Sequence, residues 1–592
     1  MDNFKENLYM IKDKCKKLIK TLYSKYNKAA EKWSFLKSKT FVGIVVAVLC
    51  IVIFSTVATL KKGRLTIANN KAETLFYERD FENSLVEYKK IQEDDKWPIW
   101  TVKMAEVHSV KRDYEQSNNL LKEAMEKRNE IMVSKTEKLI EKDKEFINHV
   151  VFTYFMNKDY DDALKIGEEF LDTYEGYKPL IKTMYTVYMV NGEKNKAEEL
   201  VKEYPVDEES AYDIAVLAKM QMILNDWDKG LDTLKEAWNK DKDEQKVFDI
   251  IAQEAAYNKN FILEKLVERV SKEPEELAYK MWIAKVYSMS SVSADMADKY
   301  LQELDGKDVG KVNIKIIKAK NYENLGESEK AAELLGEITK ENKNSYIAYH
   351  TEAWNYYEKG EYDKALEMAD KSILANKDYP DNYGFLIPDI MMKKGNTEEA
   401  EPYFRTALLK EPFNFNIMVK IADFYWYTAK DSNAAYEYFN LASLVKPMDS
   451  EVNYNMAMIK LTNNEMDAAV DLLKKSISLN EAVPKYHRTL GTVYMNKEKY
   501  TEAITEVRYA YSADKADPLT LNNAGCFYIS INGDLDRGMI NLKAALDGKD
   551  SINDEEIKKA IEDNYNKAKN LYDEFQKETG ASLPVPEFTL FY

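Results

Sequence analysis

A period of 34 residues near the end of the chain is the feature that most constrains its fold. Helix-starting residues recur at this spacing at Asn416, Ser450, Pro484 and Pro518. Small, apolar and aromatic residues follow Pro484 at helical intervals, at Leu490, Gly491, Tyr494, Tyr500, Ala503, Val507 and Ala510. Only 19 Gly and 13 Pro interrupt the 592 residues, which favours helix throughout. The period therefore predicts an array of stacked helix pairs.

This pattern closely resembles the tetratricopeptide repeat family, and with the apolar segment discussed below it resembles membrane-anchored bacterial members. The resemblance implies an all-α fold, a right-handed superhelical solenoid of helix-turn-helix pairs preceded by one transmembrane helix. In such solenoids the first helix of each pair lines a concave groove. Extending the register backwards gives thirteen or fourteen repeats. The earlier starts are Leu65, Pro98, Lys144, Lys178, Ala211, Gln245, Leu277, Val312, Tyr346 and Asp381.

Small residues and turn glycines fit this interpretation. Alanines such as Ala353, Ala365 and Ala503 recur where two helix backbones must approach closely. Four turns place a glycine where the first helix of a pair must end. These glycines are Gly192, Gly326, Gly360 and Gly395.

Two departures from the period predict local irregularity. The repeats from Gln245 and Leu277 are degenerate and have only a weak small-residue pair, which predicts a bend or a seam between two arrays. Between Pro98 and Lys144 the spacing is 46 residues, and the twelve extra residues would lengthen two helices by about a turn and a half each. The predicted division is a basic amphipathic segment 1–40, a transmembrane helix 41–60, an N-terminal array 65–276, a C-terminal array 277–550, a capping helix 551–579 and an apolar tail 580–592.

The segment from Phe41 to Leu60 contains twenty residues without a charge. At about 1.5 Å per residue, a helix of this length spans the hydrocarbon layer. The alternative is a cleaved signal peptide, but the apolar core and its basic leader are longer than is usual for such signals. The leader carries eleven lysines, which favours a cytoplasmic N-terminus and an extracytoplasmic solenoid on a single-pass plasma-membrane protein.

Charge excludes one class of partner. Residues 1–60 have a net charge of +7 and the remaining chain has −24. Nucleic-acid affinity rests mainly on neutralising phosphates with Lys and Arg, so the acidic body excludes a nucleic-acid binder. The composition is rich in Lys, Asn, Ile and Tyr and resembles that of a low-GC bacterium.

The sequence shows none of the residue spacings that are typical of catalytic or metal-binding sites. The histidines His108, His149, His350 and His487 lie in separate repeats, so no two share a metal-ligand spacing. The sequence contains no Gly-rich phosphate loop, nucleophile elbow or Cys/His pairing. We therefore expect no enzyme activity, no metal and no cofactor.

One subclass of the family clamps an acidic carboxyl-terminal peptide with Lys and Asn side chains from three repeats. The resemblance carries three of these positions over to this chain, at Lys420, Asn455 and Lys485. Phe424 stands where an asparagine is expected and Thr489 where an arginine is expected, although Arg488 is adjacent. The incomplete match leaves two interpretations open, a peptide clamp and solvated groove residues.

The middle repeats are unusually aromatic, and aromatic side chains are enriched at binding hot spots. Half of these residues are expected to pack between helices. Trp354, Tyr425 and Tyr427 lie off the packing positions and are the candidate binding residues.

The sequence thus predicts a membrane-tethered scaffold that binds a protein or peptide partner in its groove, in a cell-envelope assembly or secretion process. One alternative is a chaperone-docking or import-type receptor with cytosolic repeats. Another is a regulator that binds envelope polysaccharide or a glycosyltransferase. Homo-oligomerisation is left open.

An apolar stretch with two prolines runs from Leu583 to Tyr592. Its favoured position is on the capping helix near Tyr565, Leu571 and Phe575. Insertion into the concave groove of its own or a neighbouring copy, and disorder, are the two alternatives.

Overall fold

The computed structural model describes residues 70–133, 136–341, 345–577 and 583–592. They belong to two compact bodies, one within Met1–Met104 and one over Ala105–Tyr592. All regular secondary structure in the described ranges is helical, as predicted. No helix in these ranges is long and apolar enough to cross a membrane. The predicted anchor 41–60 and the basic segment 1–40 lie outside the described residues.

In the first body, residues 70–77 are helical and pair with helix α1 (Phe81–Asp94). The Asp80 side chain caps α1 by accepting from the main-chain nitrogen of Asn83 at 3.3 Å. The hydroxyl of Ser84 donates to the carbonyl of Ala72 at 2.9 Å, which ties the two helices together. This is the first helix pair that the structure describes.

The following helices continue as antiparallel pairs. They are α2 (Ile99–Val110), α3 (Tyr114–Ile131), α4 (Glu137–Met156), α5 (Tyr160–Thr173), α6 (Lys178–Val190), α7 (Lys194–Lys202), α8 (Ala211–Ile223), α9 (Trp227–Lys240), α10 (Gln245–Lys272), α11 (Leu277–Ser288), α12 (Ala294–Glu303), α13 (Asn313–Asn324), α14 (Ser328–Glu341), α15 (Tyr346–Glu358), α16 (Tyr362–Ala375), α17 (Ile387–Lys394), α18 (Ala400–Lys410), α19 (Phe415–Asp423), α20 (Ser432–Val445), α21 (Ser450–Thr462), α22 (Met466–Leu479), α23 (Pro484–Asn496), α24 (Tyr500–Ala513), α25 (Pro518–Ser530), α26 (Leu535–Gly548) and α27 (Glu555–Lys577). Two π-helical turns, Asn382–Leu386 and Phe424–Thr428, extend the first helices of two repeats.

The helix starts agree with the 34-residue register, since α6, α8, α10, α11, α15, α21, α23 and α25 begin at predicted repeat starts. The twelve extra residues between Pro98 and Lys144 lengthen two helices, as predicted. Helix α3 has 18 residues and α4 has 20, against 14 in α5 and 13 in α6. The predicted turn glycines also have left-handed backbones, with φ of 85° at Gly395.

The degenerate repeat from Gln245 has an unusual turn. Both of its helices join in α10, which is helical except for a kink at Asn258, with φ of −143° and ψ of 80°. No glycine marks this turn, which is why the repeat pattern is weak there. The predicted division between arrays at residues 276 and 277 stays a prediction.

Close helix approach makes Gly525 sensitive to substitution. A Cβ atom there would lie 2.6 Å from Leu542 Cγ and 2.9 Å from the carbonyl oxygen of Gly538. We expect Gly525→Ala to lower the free energy of unfolding by about 1–3 kcal/mol through overpacking. The control is Gly336→Ala in α14, where a Cβ meets nothing within 4 Å. Thermal unfolding should show opposite signs for the two variants, because alanine favours helix where there is room. Equal shifts would contradict close packing at Gly525.

Within the second body, residues 105–257 contact residues 381–449, and we call this contact the closure interface. Arg405 Nη1 donates to Ser109 Oγ at 2.9 Å, and Lys182 Nζ donates to the carbonyl of Lys410 at 2.9 Å. Asn416 Nδ2 donates to the carbonyl of Gln253 at 2.9 Å. Residues 381–449 therefore cover part of the first helices in the repeats between residues 105 and 257.

A buried ion cluster lies in the closure interface. Lys246 is 0% exposed, Lys219 2% and Glu411 2%. Lys246 Nζ lies 2.7 Å from Glu411 Oε1, a charge contact without hydrogen-bond alignment, and Lys219 Nζ donates to Glu411 Oε2 at 3.3 Å. Burial alone raises the pKa of Glu411, but the two lysines lower it to about 2. Glu411 is therefore ionised at neutral pH and neutralises charge from two repeats.

Candidate functional site

The first helices of the middle repeats enclose a cavity of about 620 Å³, which we call the inner groove. Its walls come from α10, α11, α13, α15, α17 and α19, and Gln253 and Asn416 place the closure interface at one side. A cavity of this size accommodates several side chains of a bound segment. The predicted residues Trp354 and Lys420 both line it.

Carboxylates outnumber lysines in the inner groove. Lys420 Nζ pairs with Asp389 Oδ1 at 2.5 Å, and Lys320 Nζ pairs with Glu358 Oε1 at 2.6 Å. The third lysine is Lys285. The six carboxylates are Asp249, Glu323, Glu358, Asp381, Asp389 and Asp423. The inner groove is thus lined by six carboxylates and three lysines, and we call this carboxylate-rich lining the acidic wall.

Several of these carboxyl groups have raised pKa values. Burial, with the neighbouring Asp249 adding to it, raises the pKa of Asp381 to about 7. Burial raises the pKa of Asp423 to about 6, even though Lys420 acts in the opposite direction. A cation that enters the groove would favour the ionised form of both groups. The groove therefore has electrostatic capacity for a positively charged ligand.

Trp354 is oriented by a chain of hydrogen bonds. Its Nε1 donates to His350 Nε2 at 3.0 Å, and His350 Nδ1 bonds to Asn382 Oδ1 at 2.8 Å. This assigns the proton of the neutral imidazole to Nδ1. Burial lowers the pKa of His350, so the imidazole stays neutral and can accept from Trp354. The indole is thus fixed by its polar edge while its ring forms part of the groove wall.

Tyr425 was predicted to lie on the binding face, and this placement is wrong. Its side chain is 5% exposed, and its hydroxyl bonds to Glu401. Its ring stacks on Tyr438 at 5.6 Å, and the Arg112 guanidinium lies 4.9 Å from the ring centre. The physical reason is the π-helical turn Phe424–Thr428, which adds a residue to the turn and rotates Tyr425 into the closure interface.

Tyr427 lies off the packing positions, as predicted. It is 61% exposed, and its ring stacks on Trp426 at a centroid distance of 5.2 Å. Burial raises its pKa, and the nearby carboxylate of Asp423 raises it further. Tyr427 therefore stands near the acidic wall of the inner groove.

The charged residues of the incomplete peptide clamp are already paired with carboxylates of the chain. Lys485 Nζ pairs with Glu451 Oε1 at 2.5 Å, and Arg488 pairs with Asp517. Phe424 and Thr489, which replace clamp residues, are buried. Asn455 is half-buried in α21. An incoming carboxylate would have to displace one of these acids before it could bind.

Sequence reasoning missed the acidic wall, although the sequence contains a signal for it. Asn355, Asp389 and Asp423 are 34 residues apart and therefore occupy the same position in three successive repeats. All three line the inner groove. A polar residue repeated at one register position indicates a shared groove surface, because stacking aligns equivalent side chains.

Comparisons with known proteins were made by sequence profile, by sequence and by structure. A sequence profile described as tetratricopeptide repeat matches residues 450–483. A search of curated proteins gives no match. Among solved structures, yeast Tom70 is 13% identical, with 82% of this chain and 96% of that chain covered and a TM-score of 0.34. YrrB, described as a TPR protein with an unusual peptide-binding site, is 19% identical, with 32% and 95% covered and a TM-score of 0.26.

PilF of Pseudomonas aeruginosa is 18% identical, with 33% of this chain and 89% of that chain covered and a TM-score of 0.29. At these TM-scores, the similarities carry no partner or process over to this chain. The profile match covers helices α21 and α22, where the 34-residue pattern is regular. Residues 450–483 therefore form a tetratricopeptide repeat within an all-helical array of similar pairs.

Proposed function

We propose that this chain is a membrane-tethered scaffold whose inner groove binds a segment of a protein partner that carries Lys or Arg among apolar side chains. The observation that supports this most is the excess of carboxylates around Trp354 in a cavity of about 620 Å³. The acidic wall favours basic side chains, and the fixed indole offers apolar and cation–π contact. The proposed role is binding without catalysis.

The charge of the groove favours a basic segment over the acidic peptide that a chaperone-docking receptor would bind. A clamp for acidic peptides needs free cations, and Lys420, Lys485 and Arg488 are each paired with a carboxylate. Displacing such a partner leaves that acid without its counter-charge, which costs free energy. A basic segment meets no such cost at Asp423, whose raised pKa falls when a cation approaches.

Membrane tethering rests on residues 41–60, whose uncharged length suits a single span. We place the repeats outside the cytoplasm, in a cell-envelope assembly or secretion process. The full chain should stay in the membrane pellet after carbonate extraction, and a variant lacking 41–60 should become extractable. Mature protein that begins near Thr59 would instead show a cleaved signal peptide and contradict the anchor.

The groove is tested with two labelled peptides of equal length, one alternating Leu with Lys and the other alternating Leu with Glu. We expect the Lys peptide to bind the purified chain more tightly. Asp423→Asn and Trp354→Ala should each weaken it about tenfold, the size of one lost contact of about 1.4 kcal/mol. Binding should also weaken between pH 7.5 and pH 5, because Asp423 becomes protonated below its pKa of about 6.

The matched control is Asp467→Asn, which removes a carboxylate that is 92% exposed and pairs with Lys497. This variant should bind the Lys peptide as the native chain does. Tighter binding of the Glu peptide, or equal losses in Asp423→Asn and Asp467→Asn, would reject the groove as a site for basic segments.

A further inference from the structure

A second site lies at the end of the array, away from the inner groove, where residues 583–592 run in an extended form. We call these residues the terminal segment. Leu583, Phe588 and Leu590 pack, as Tyr565 does, against the buried cluster that contains Leu571, as predicted for packing on the last helix. The terminal segment also contacts the first helices α23 and α25 through Thr492 and Asn523. Insertion into a concave groove stays a prediction.

Asparagine side chains hold the main chain of the terminal segment. Asn564 Oδ1 accepts from the Thr589 nitrogen at 3.0 Å, and its Nδ2 donates to the Thr589 carbonyl at 2.7 Å. Asn523 repeats this pattern on Phe591, with distances of 3.0 Å to the nitrogen and 2.6 Å to the carbonyl oxygen. Asn522 Nδ2 adds a bond to the Thr589 carbonyl at 3.0 Å. The asparagine side chains thus bind the main chain at every second residue, Thr589 and Phe591, which is the period of an extended chain.

These asparagines are fully buried, and we call Asn522, Asn523 and Asn564 the asparagine row. All three are 0% exposed. They are linked to one another through Asn564 Nδ2 to Asn522 Oδ1 at 2.9 Å and Asn522 Nδ2 to Asn523 Oδ1 at 3.3 Å. With the terminal segment in place, its main chain supplies the hydrogen-bond partners that these buried amides require.

Apolar side chains of the terminal segment also pack on the array, so the site prefers particular side chains as well as an extended main chain. Phe588 and Leu590 pack on the cluster around Cys526 and Leu571, whereas Phe591 packs on a second cluster around Leu521 and Ile561. Thr589, between them, is exposed. The site therefore fits an extended segment with an aromatic, polar, apolar, aromatic order.

We propose that the asparagine row is a peptide-binding site and that the terminal segment is its ligand, held in cis and displaceable. The contacts that carry it are main-chain hydrogen bonds and two apolar pockets, and a separate peptide can make all of them. A peptide of the same sequence therefore binds the site once the covalent segment is removed. This inference does not depend on the proposed function, because it uses no residue that lines the inner groove.

The test uses a chain ending at residue 582 and a labelled peptide of residues 583–592 with acetylated and amidated ends. The peptide should bind this variant at least tenfold more tightly than it binds the full chain, whose own segment competes. Adding Asn523→Ala to the shortened chain should weaken binding at least tenfold. Asn541→Ala is the control, since Asn541 Nδ2 donates to the Arg537 carbonyl within its own helix α26 and makes no bond to the terminal segment among the described residues.

Two outcomes overturn the proposal. The first is a shortened chain with native helix content that does not bind the peptide. The second is a shortened chain whose last repeats unfold and are not restored by excess peptide, because the segment would then be part of the core.

Hydrogen exchange on the full chain gives an independent check. The double variant Asn523→Ala and Asn564→Ala should expose the Thr589 and Phe591 amides to fast exchange while α25 and α26 stay protected. Loss of protection in these helices together with the terminal segment would show a structural cap and would reject a displaceable ligand.

Discussion

Glu411→Gln is expected to lower the free energy of unfolding of the closure interface by about 3–5 kcal/mol, the cost of breaking a buried ion pair from one side. The substitution keeps the size of the side chain but removes the carboxylate that pairs with both Lys219 and Lys246 in the buried cluster. Both lysines are almost fully buried, so bulk solvent screens their charge little. Urea unfolding of the purified chain should therefore show a transition at clearly lower denaturant.

Two further variants separate charge from packing in this cluster. Replacing the three residues together, by Lys219→Met, Lys246→Met and Glu411→Leu, should restore most of the stability, because apolar side chains of similar volume often substitute for a buried ion group. Asp467→Asn should change stability by less than about 1 kcal/mol, as is usual for exposed pairs. A Glu411→Gln effect as small as that of Asp467→Asn would show that the cluster does not stabilise the closure interface.

Acid should reveal the same cluster. The pKa of Glu411 is lowered in the folded chain to about 2, against a model-compound value of 4.5. Its contribution is therefore fully present above about pH 4.5 and is lost as the pH falls towards 2. Between pH 5 and pH 2.5, the native chain should lose more stability than Glu411→Gln does. Parallel loss in both proteins would place the acid sensitivity elsewhere.

Tyr425→Ala is expected to destabilise the chain by about 3–5 kcal/mol, the usual range for removing a buried aromatic side chain. The change removes the stacking on Tyr438, the contact with Arg112 and the hydroxyl bond to Glu401. It also leaves the Arg112 guanidinium with only Asp431, to which its Nη1 donates at 2.8 Å. Thermal unfolding measures the loss.

Tyr427→Ala is the matched control, two residues further along the same π-helical turn. Its side chain is largely exposed, so its removal should change stability by no more than about 0.5 kcal/mol. The two tyrosines are chemically identical, and only their orientation differs. Similar melting temperatures for both variants would contradict the burial of Tyr425 in the closure interface.

The repeat architecture could be predicted because it depends on contacts close in sequence. The alanines and glycines at 34-residue spacing report the approach of adjacent helices, and α21, α23 and α25 begin where the pattern places them. Trp354 and Lys420 both line the inner groove, because positions on the first helices repeat with the register. Their role in binding stays a prediction.

The closure interface could not be predicted, because its partners are far apart in sequence. Lys219 and Glu411 are separated by 192 residues, and Arg405 and Ser109 by 296. No local pattern reports such contacts, which depend on the accumulated rotation of many repeats. The misplacement of Tyr425 has a related cause. A single π-helical turn changes which face a residue presents, and the periodicity of an α-helix does not reveal it.

The asparagine row was also missed, although Asn522 and Asn523 stand side by side in the sequence. Asparagine is common in this chain, so the pair alone does not indicate a site. Asn522 and Asn523 form a site only together with Asn564 and the terminal segment, which are distant in sequence and meet in the folded chain.

Photo-crosslinking from inside the inner groove tests most directly whether the groove binds a basic segment. A photoreactive amino acid replaces Asn355, which lines the groove, or Tyr509, which is 59% exposed on the second helix α24. Each purified chain is irradiated with the Leu and Lys peptide. We expect efficient crosslinking from position 355 that is lost when Asp423→Asn is added, and little from position 509. Equal crosslinking from both positions, or none from position 355, would contradict binding in the inner groove.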